Sequence, residues 1–180
     1  MIEFKEHRPP APPEALADTE RRLAAHGHRI PPSYRAFLAE QDGGRPLRNT
    51  FYFEQHDRRQ SSSVSTFIGV QPRPGSSSLT GDLASVVEAV GDIPPGILPI
   101  ARDEVGNFIC IDTRDDRDGP VLFRDHEEGF DNDEVDYSNL YEIAPDLGTF
   151  LDGLFEAPPL EIKPIVISRR GGLRRLFRRR

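Results

Sequence analysis

The sequence predicts an α+β fold, and three patterns carry that prediction. Two amphipathic segments with helical spacing open the chain. Short runs rich in β-branched and aromatic residues follow, separated by compact polar turns. A further amphipathic segment then closes the folded region. Helices and strands grouped in this way, without strict alternation, are typical of antiparallel sheets with helices packed on them.

The two opening helices are marked by prolines at their starts and glycines at their ends. The first is predicted over residues 14–26, directly before Gly27, which suits the left-handed residue that follows a helix. The start of the second is set by the proline pair Pro31 and Pro32, and Gly43 and Gly44 end it. Together they form a helical hairpin.

The strand pattern begins after this hairpin. We predict strands in the runs FYF (51–53) and VSTFIGV (64–70), and an exposed loop in the polar stretch EQHDRRQSSS between them, because that stretch has nothing to bury. A third, shorter helix is predicted within residues 78–91, where apolar residues recur at helical spacing.

The second half of the chain predicts an antiparallel meander. Its strands are GILPIA, NFICID and GPVLFRD, joined by two compact turns, and LYEIA adds a last short strand. The segment PDLGTFLDGLFE has apolar residues at i, i+3, i+4 and i+7 and predicts a final helix. The predicted organisation is a flexible N-terminus (1–13), one domain (14–156), and a proline-containing linker with an arginine-rich basic tail (157–180).

Charge divides the chain into an acidic body and a basic tail. The net charge is −7, and the last twelve residues, RRGGLRRLFRRR, hold seven arginines and no acidic residue. Removing the charge of that tail leaves −14 for residues 1–168. An acidic body repels nucleic acid and attracts basic partners. For the tail, three interpretations stay open: disorder, contact with a membrane or polyanion, and folding back on the acidic body.

Cysteine content and hydropathy indicate where the protein acts. Cys110 is the single cysteine, so no internal disulfide is possible and a reducing compartment is favoured. The N-terminus MIEFKEHRPP lacks the apolar stretch that a secretory signal requires. We therefore expect a cytoplasmic protein.

The stretch LPIARDEVGNFICID (98–112) allows an enzymatic and a structural interpretation. Asp103 as base and Cys110 as nucleophile would make it the rim of an active site, but Cys110 lies within an apolar run typical of a buried side chain. A hairpin turn explains the residues better, since glycine and asparagine suit its bend. The turn residues predicted along the chain are Gly43, Gly44, Asp103, Gly106, Asn107 and Gly119. A small hydrolase using Asp103 or His126 is the weakest alternative.

Neither metal nor cofactor is expected. The stretch TRDDRDGPVLFRD partly matches a calcium loop, but Arg114 occupies the first ligand place and Asp125 at the twelfth is too short. We interpret it as a charged hairpin tip closed by Asp118 and Gly119. No two of the five histidines have the i, i+4 spacing of a metal clip, so we predict that they are solvated.

Acidic residues are concentrated between positions 112 and 136. They are a solvated face or a surface that binds a cationic protein partner. As a hypothesis, the partner-binding residues are Asp112, Asp115, Asp116, Asp118, Asp125, Glu127, Glu128, Asp131, Asp133, Glu134 and Asp136.

Taken in order, these segments resemble the SUKH superfamily, the Smi/Knr-type proteins. The resemblance rests on IPPSYRAFLAEQDGG, FIGV, ILPIARDEVGNFICID, GPVLFRDHE and LYEIAPDLGTFLDGL, which lie within residues 14–155. The chain departs from the family in having Asp42 where asparagine is frequent before the double glycine, and in having no tryptophan.

The resemblance implies an α+β fold without catalysis that binds and neutralises a toxin, commonly a nuclease, delivered between competing bacteria. We therefore expect an immunity protein whose carboxylates engage a cationic toxin. The alternative is an intracellular scaffold or regulator with no toxin partner, as the eukaryotic relatives of the superfamily imply.

Overall fold

The computed structural model describes residues 2–72, 75, 81–91, 93–114, 118–128 and 137–157. In these residues the chain forms four helices and seven strands in two antiparallel sheets, which confirms the α+β class. In chain order the elements are α1 (Pro13–Ala24), α2 (Pro32–Glu40), β1 (Thr50–Gln55), β2 (Arg58–Ser63), β3 (Thr66–Phe67), α3 (Leu83–Val90), β4 (Ile97–Arg102), β5 (Phe108–Asp112), β6 (Val121–Arg124), β7 (Leu140–Ala144) and α4 (Leu147–Gly153). None of the helices in this part of the chain has the length and apolarity that crossing a membrane requires.

The main sheet is the predicted meander. Its strand order is β3-β4-β5-β6-β7, and each strand is antiparallel to its neighbours. All residues of β4 are buried except the half-buried Arg102, and the whole of β6 is buried. Strands covered on both faces read as continuous apolar runs, which explains why ILPIA and VLF show no polar alternation.

Helix α1 begins at Pro13, one residue before the predicted start, and ends at Ala24, two residues earlier than expected. Helix α2 begins at Pro32, within the proline pair predicted to start it. Leu23 of α1 and Tyr34 of α2 are completely buried. The Tyr34 hydroxyl lies 2.5 Å from the carbonyl oxygen of Ile68 and 2.8 Å from that of Ile100. This contact fastens α2 to β4 at the centre of the core.

The last two helices carry side-chain caps at their N-termini. Asp82 precedes α3 and Asp146 precedes α4, and each carboxylate accepts a backbone N–H from the first helical turn. Helix α3 ends at Gly91, whose φ of 71° is the left-handed conformation that glycine adopts without strain. Leu79, part of the segment from which this helix was predicted, lies outside the described residues.

The prediction of an exposed loop between the first two strand runs is wrong. Residues 58–63 form β2, which pairs with β1 over six consecutive positions. His56 and Asp57, with φ of 51° and 59°, make the two-residue turn between them. The rings of Phe51 and Phe53 in β1 lie 6.0 and 4.4 Å from that of Phe123 and anchor the hairpin. Strand β2 has no apolar face from which it could be predicted. The apolar contacts of the hairpin come from its partner strand, β1.

Strand β3 is shorter than the run 64–70 predicted for it. Gly44 and Phe67 exchange two backbone hydrogen bonds on its outer side. Beyond β3, the amides of Val70 and Gln71 donate to the Asp42 carboxylate at 2.7 and 3.2 Å. Since these two amides donate to a carboxylate and not to a neighbouring strand, the chain leaves the sheet at Val70.

The segment before α1, which belongs to the N-terminus predicted to be flexible (residues 1–13), makes contacts with the domain. The Phe4 ring lies 5.9 Å from that of Phe37 and 6.3 Å from that of Phe67. Ala11 is buried, and its amide donates to a carbonyl of α2. At the other end, the linker and basic tail lie outside the described residues from position 158 onward.

Candidate protein-binding surface

Asp103 organises the turn between β4 and β5. Its Oδ1 accepts the backbone N–H groups of Val105, Gly106 and Asn107, each at 2.9 Å. Its Oδ2 accepts the Asn107 side-chain amide at 2.8 Å and the Ser62 hydroxyl at 3.1 Å. Both carboxylate oxygens are thus engaged in holding the turn, and Ser62 joins that turn to the β1–β2 hairpin.

The enzymatic interpretation of this region finds no nucleophile–base pair. Cys110 is fully buried in β5, and burial raises the pKa of its thiol to about 12. His126 Nδ1 lies 2.7 Å from Asn107 Oδ1, and its backbone N–H donates to the same oxygen at 3.0 Å. Among the described residues no hydrogen bond joins the side chains of any two of Asp103, Cys110 and His126. A nucleophile is activated by an adjacent base, a lowered pKa or a metal ion, and the raised pKa of Cys110 opposes such activation.

The prediction that all histidines are solvated is wrong for His28, which is buried behind the end of α1. Burial lowers its pKa, and the electrostatic effect of nearby His26 lowers it further. His28 lines a shallow cleft with Arg29, Gly96 and Arg114. Within the described ranges, no cluster of histidine, cysteine and carboxylate side chains is placed to hold a metal ion.

Two of the acidic residues predicted to bind a partner lie where β5 ends and β6 begins. Asp112 forms an ion pair with Arg114 at 2.6 Å, and this hydrogen-bonded guanidinium lowers the pKa of the carboxyl. Asp118 accepts the backbone N–H of Ser33 at 3.1 Å and its hydroxyl at 2.9 Å, so it caps the start of α2. A Cβ on Gly119 would lie 2.2 Å from the carbonyl oxygen of Asp112, which excludes any other residue without rearrangement.

Three more lie at the opposite end of β6, in a segment that we call the acidic turn (residues 125–128). Four residues of β6, about 13 Å of extended chain, separate them from the first group. Asp125 accepts the Gln55 side-chain amide at 2.9 Å. Glu128 accepts the same amide at 3.2 Å, lies 2.8 Å from His56 Nε2, and accepts the Tyr141 hydroxyl.

These contacts determine the electrostatics of the acidic turn. The hydrogen bond from Tyr141, followed by that from His56, lowers the pKa of Glu128, so its carboxyl is ionised at neutral pH. Asn139 donates its side-chain amide to the carbonyl oxygens of Asp125 and Glu128 at 2.9 and 3.0 Å. The turn is therefore held from both β1 and β7. Glu127, between the two anchored carboxylates, is exposed.

The structure thus divides the predicted partner-binding set between two ends of the sheet. Asp112 and Asp118 serve the fold at one end, and the acidic turn lies at the other. The remaining members of the set are outside the described residues: Asp115, Asp116, Asp131, Asp133, Glu134 and Asp136.

The part of the chain that matches a known protein family is the part that forms this fold. A model of the SMI1 / KNR4 family (SUKH-1) matches residues 10–153, four-fifths of the chain. The chain belongs to the SMI1/KNR4 family (SUKH-1). A search of curated proteins finds no match. Membership in the SMI1/KNR4 family fits a non-catalytic immunity or regulatory module.

The stretch that matches the SMI1/KNR4 family spans every helix and strand described here and includes the acidic turn, whereas the basic tail lies beyond it. Within that stretch, Asp42 departs from the asparagine that is frequent before the double glycine. The structure gives it three partners: the amides of Val70 and Gln71, and the guanidinium of Arg8 at 3.2 Å. Its side chain is completely buried. The guanidinium supplies the positive charge that a buried carboxylate requires, and an amide in its place would leave Arg8 unneutralised.

Proposed function

We propose that this chain is an immunity protein that binds and neutralises a cationic protein toxin, a nuclease being the expected class. It acts as a binding module without chemistry of its own. Membership in the SMI1/KNR4 family supports a non-catalytic role. The single cysteine supports action in a reducing compartment such as the cytoplasm.

The observation that carries the proposal is the anchoring of the acidic turn. Asp125 and Glu128 are held by Gln55, Tyr141 and neighbouring groups, while Glu127 projects into solvent between them. A charged group on a backbone fixed in advance loses less conformational freedom when a partner binds. The acidic turn is therefore suited to receive a basic surface with little rearrangement.

The sequence places more negative charge directly beside this turn. Asp131, Asp133, Glu134 and Asp136 follow within eight residues of Glu128. A nuclease carries positive charge where it holds phosphates, and grouped carboxylates compete for that surface. The net charge of −14 on residues 1–168 extends the attraction and raises the rate of encounter.

The proposal is tested by co-expressing the chain with each strongly basic protein encoded beside its gene. We expect one of these proteins to be toxic alone, to be tolerated with the chain, and to co-purify with it as a stable complex. If none binds, the immunity role is refuted, and the regulatory scaffold becomes the better account of the fold.

Charge reversal in the acidic turn and in the acidic residues that follow it in the sequence locates the interface. Glu127→Lys, combined with Asp131→Lys and Asp133→Lys, is expected to weaken the complex and restore toxicity. Three matched reversals on exposed helical acids, Glu14→Lys, Asp18→Lys and Glu40→Lys, change the net charge equally. If both sets weaken the complex to the same degree, net charge alone is responsible and the acidic turn is not the interface.

A further inference from the structure

The hairpin of β1 and β2 leaves one strand edge open. Because its turn has two residues, Gln55 and Arg58 form the pair that closes the hairpin, and hydrogen-bonded pairs recur at every second residue from there. The outward orientation of Thr50 confirms this alternation, since it exchanges two backbone hydrogen bonds with Phe155 on the far side of β1. In β2 the backbone groups of the alternate residues therefore point away from β1.

Those outward groups are available for pairing. The backbone N–H and C=O groups of Arg59 and Ser61 have no hydrogen-bond partner in the described part of the chain, and both residues are exposed. Strand β2 contains neither proline nor a bulge, and its register with β1 is continuous over six pairs. Natural edge strands are usually protected by proline, bulges or charged side chains, and of these three β2 has only the charges of Arg58 and Arg59. Its regular backbone edge is therefore a template for a further strand, and the arginine charges restrict which strand it accepts.

The side chains next to this edge suit a protein partner. Tyr52 is 46 % exposed, and its ring stacks with the Phe155 ring at 4.8 Å and contacts the Arg59 guanidinium at 4.0 Å. Tyrosine and arginine, when held rigidly, are the residues that most often dominate binding energy at protein interfaces. The stack therefore offers a preformed contact beside the open backbone groups.

The charged side chains of this edge indicate which kind of strand it binds. Arg58 and Arg59 are adjacent in β2, on a body whose net charge is otherwise strongly negative. A second copy of the chain would present the same strand, RRQSSS, which has no carboxylate to meet the arginines, and its net charge of −7 would oppose association. A strand with an acidic side chain complements the edge instead.

We propose that the outer edge of β2 pairs with an extended strand of a protein partner that carries a carboxylate side chain opposite Arg59. Backbone hydrogen bonds to Arg59 and Ser61 provide the attachment, and the guanidinium selects the acidic side chain. This edge uses residues other than those of the acidic turn, although the two features meet at the end of the hairpin, where Gln55 and His56 contact Glu128. The inference rests on the backbone groups of β2 and does not depend on the proposed toxin.

The proposal is tested with two capped peptides, Thr-Ile-Thr-Glu-Thr-Ile-Thr and the same peptide with lysine in place of glutamate. Alternate residues are N-methylated so that only one edge of each peptide can pair. In a titration followed by amide resonances of the full chain, we expect the shifts to be centred on Arg59 and Ser61. The glutamate peptide should bind about fivefold tighter than the lysine peptide.

Two variants separate this pairing from other modes of binding. Ser61→Pro removes one outward N–H while leaving the bonds to β1 intact, so it should abolish binding, whereas Ser61→Ala should bind within about twofold of the unmodified chain. Arg59→Glu keeps every backbone group and should reverse the preference between the two peptides. Far-ultraviolet circular dichroism confirms that each variant is folded.

Several results would overturn the proposal. They are shifts centred away from β2, no binding at millimolar peptide, equal binding by Ser61→Pro and Ser61→Ala, or an unchanged preference in Arg59→Glu. Concentration-dependent shifts at Arg59 and Ser61 without any peptide would show that a second copy occupies the edge, which contradicts the partner assigned here.

Discussion

Replacing Asp103 by alanine is expected to destabilise the fold by about 4 kcal/mol. Its carboxylate accepts four hydrogen bonds from the turn between β4 and β5 and a fifth from the Ser62 hydroxyl of β2. The amides of Val105 and Gly106 are exposed and reach water once the carboxylate is gone. The backbone and side-chain N–H groups of Asn107 stay buried, and each buried donor without a partner costs about 1–3 kcal/mol.

Asp103→Asn provides a graded comparison. The remaining carbonyl oxygen keeps the three backbone amides, but the new NH₂ group opposes the side-chain amide of Asn107. We expect a smaller loss of about 1–2 kcal/mol. Urea unfolding of both variants, followed by circular dichroism, measures the free energies. Asp18→Ala serves as the control because Asp18 is exposed on α1, and it should change stability by less than about 0.5 kcal/mol.

The reasoning fails if Asp103→Ala lies within about 1 kcal/mol of the unmodified chain, since that loss is too small for two orphaned buried donors. It also fails if the alanine and asparagine variants unfold at the same urea concentration. Equal loss would mean that the charge of Asp103, and not its hydrogen bonds to the turn, supports the fold.

Three further predictions test other features of the fold. Because burial lowers the pKa of His28, the unfolded chain binds a proton at this imidazole more readily than the folded chain, and the free energy of unfolding should fall as pH drops below about 6.5. His28→Phe should flatten this pH dependence. An unchanged slope would contradict the assignment. Gly119→Ala should lower the free energy of unfolding by more than about 2 kcal/mol because the added Cβ meets a carbonyl oxygen. Gly153→Ala, with open space at the end of α4, should leave stability unchanged or raise it. Equal urea midpoints for the two variants would refute this prediction. The thiol of Cys110 should react with Ellman's reagent only after denaturation, and rapid reaction of the folded chain would show that the strand is open.

The parts of the fold that the sequence predicted correctly are those with a strong local signal. Proline at the helix starts and apolar periodicity were sufficient for α1 and α2, and continuous apolar runs were sufficient for β4, β5 and β6. Strand β2 was not predicted because its sequence, RRQSSS, has no apolar face. Its place in the fold depends on its partner strand, in which Phe51 and Phe53 pack on the core. The contacts of the N-terminal segment were not predicted because Phe4 is one isolated aromatic residue among charged and proline residues.

The candidate site was predictable in composition and not in geometry. A count of acidic residues shows that positions 112–136 are rich in carboxylates, but a count does not show that a strand separates them. Asp118 caps a helix 85 residues earlier in the chain, and Glu128 bonds to the hairpin turn 72 residues earlier. Such long-range hydrogen bonds leave no periodic trace in a sequence. The roles of Asp42 and Tyr141 were missed for the same reason.

The most direct test of the central claim is the association rate constant of this chain with its basic partner, measured by stopped flow at low and high salt. If carboxylates at the acidic turn steer the encounter, the rate should fall about tenfold or more between 0.02 and 0.5 M salt, and Glu127→Lys should slow it at low salt with little change in dissociation. The matched reversal Glu40→Lys should have a smaller effect. An association rate that is independent of salt, or equal for the two reversals, would contradict the account.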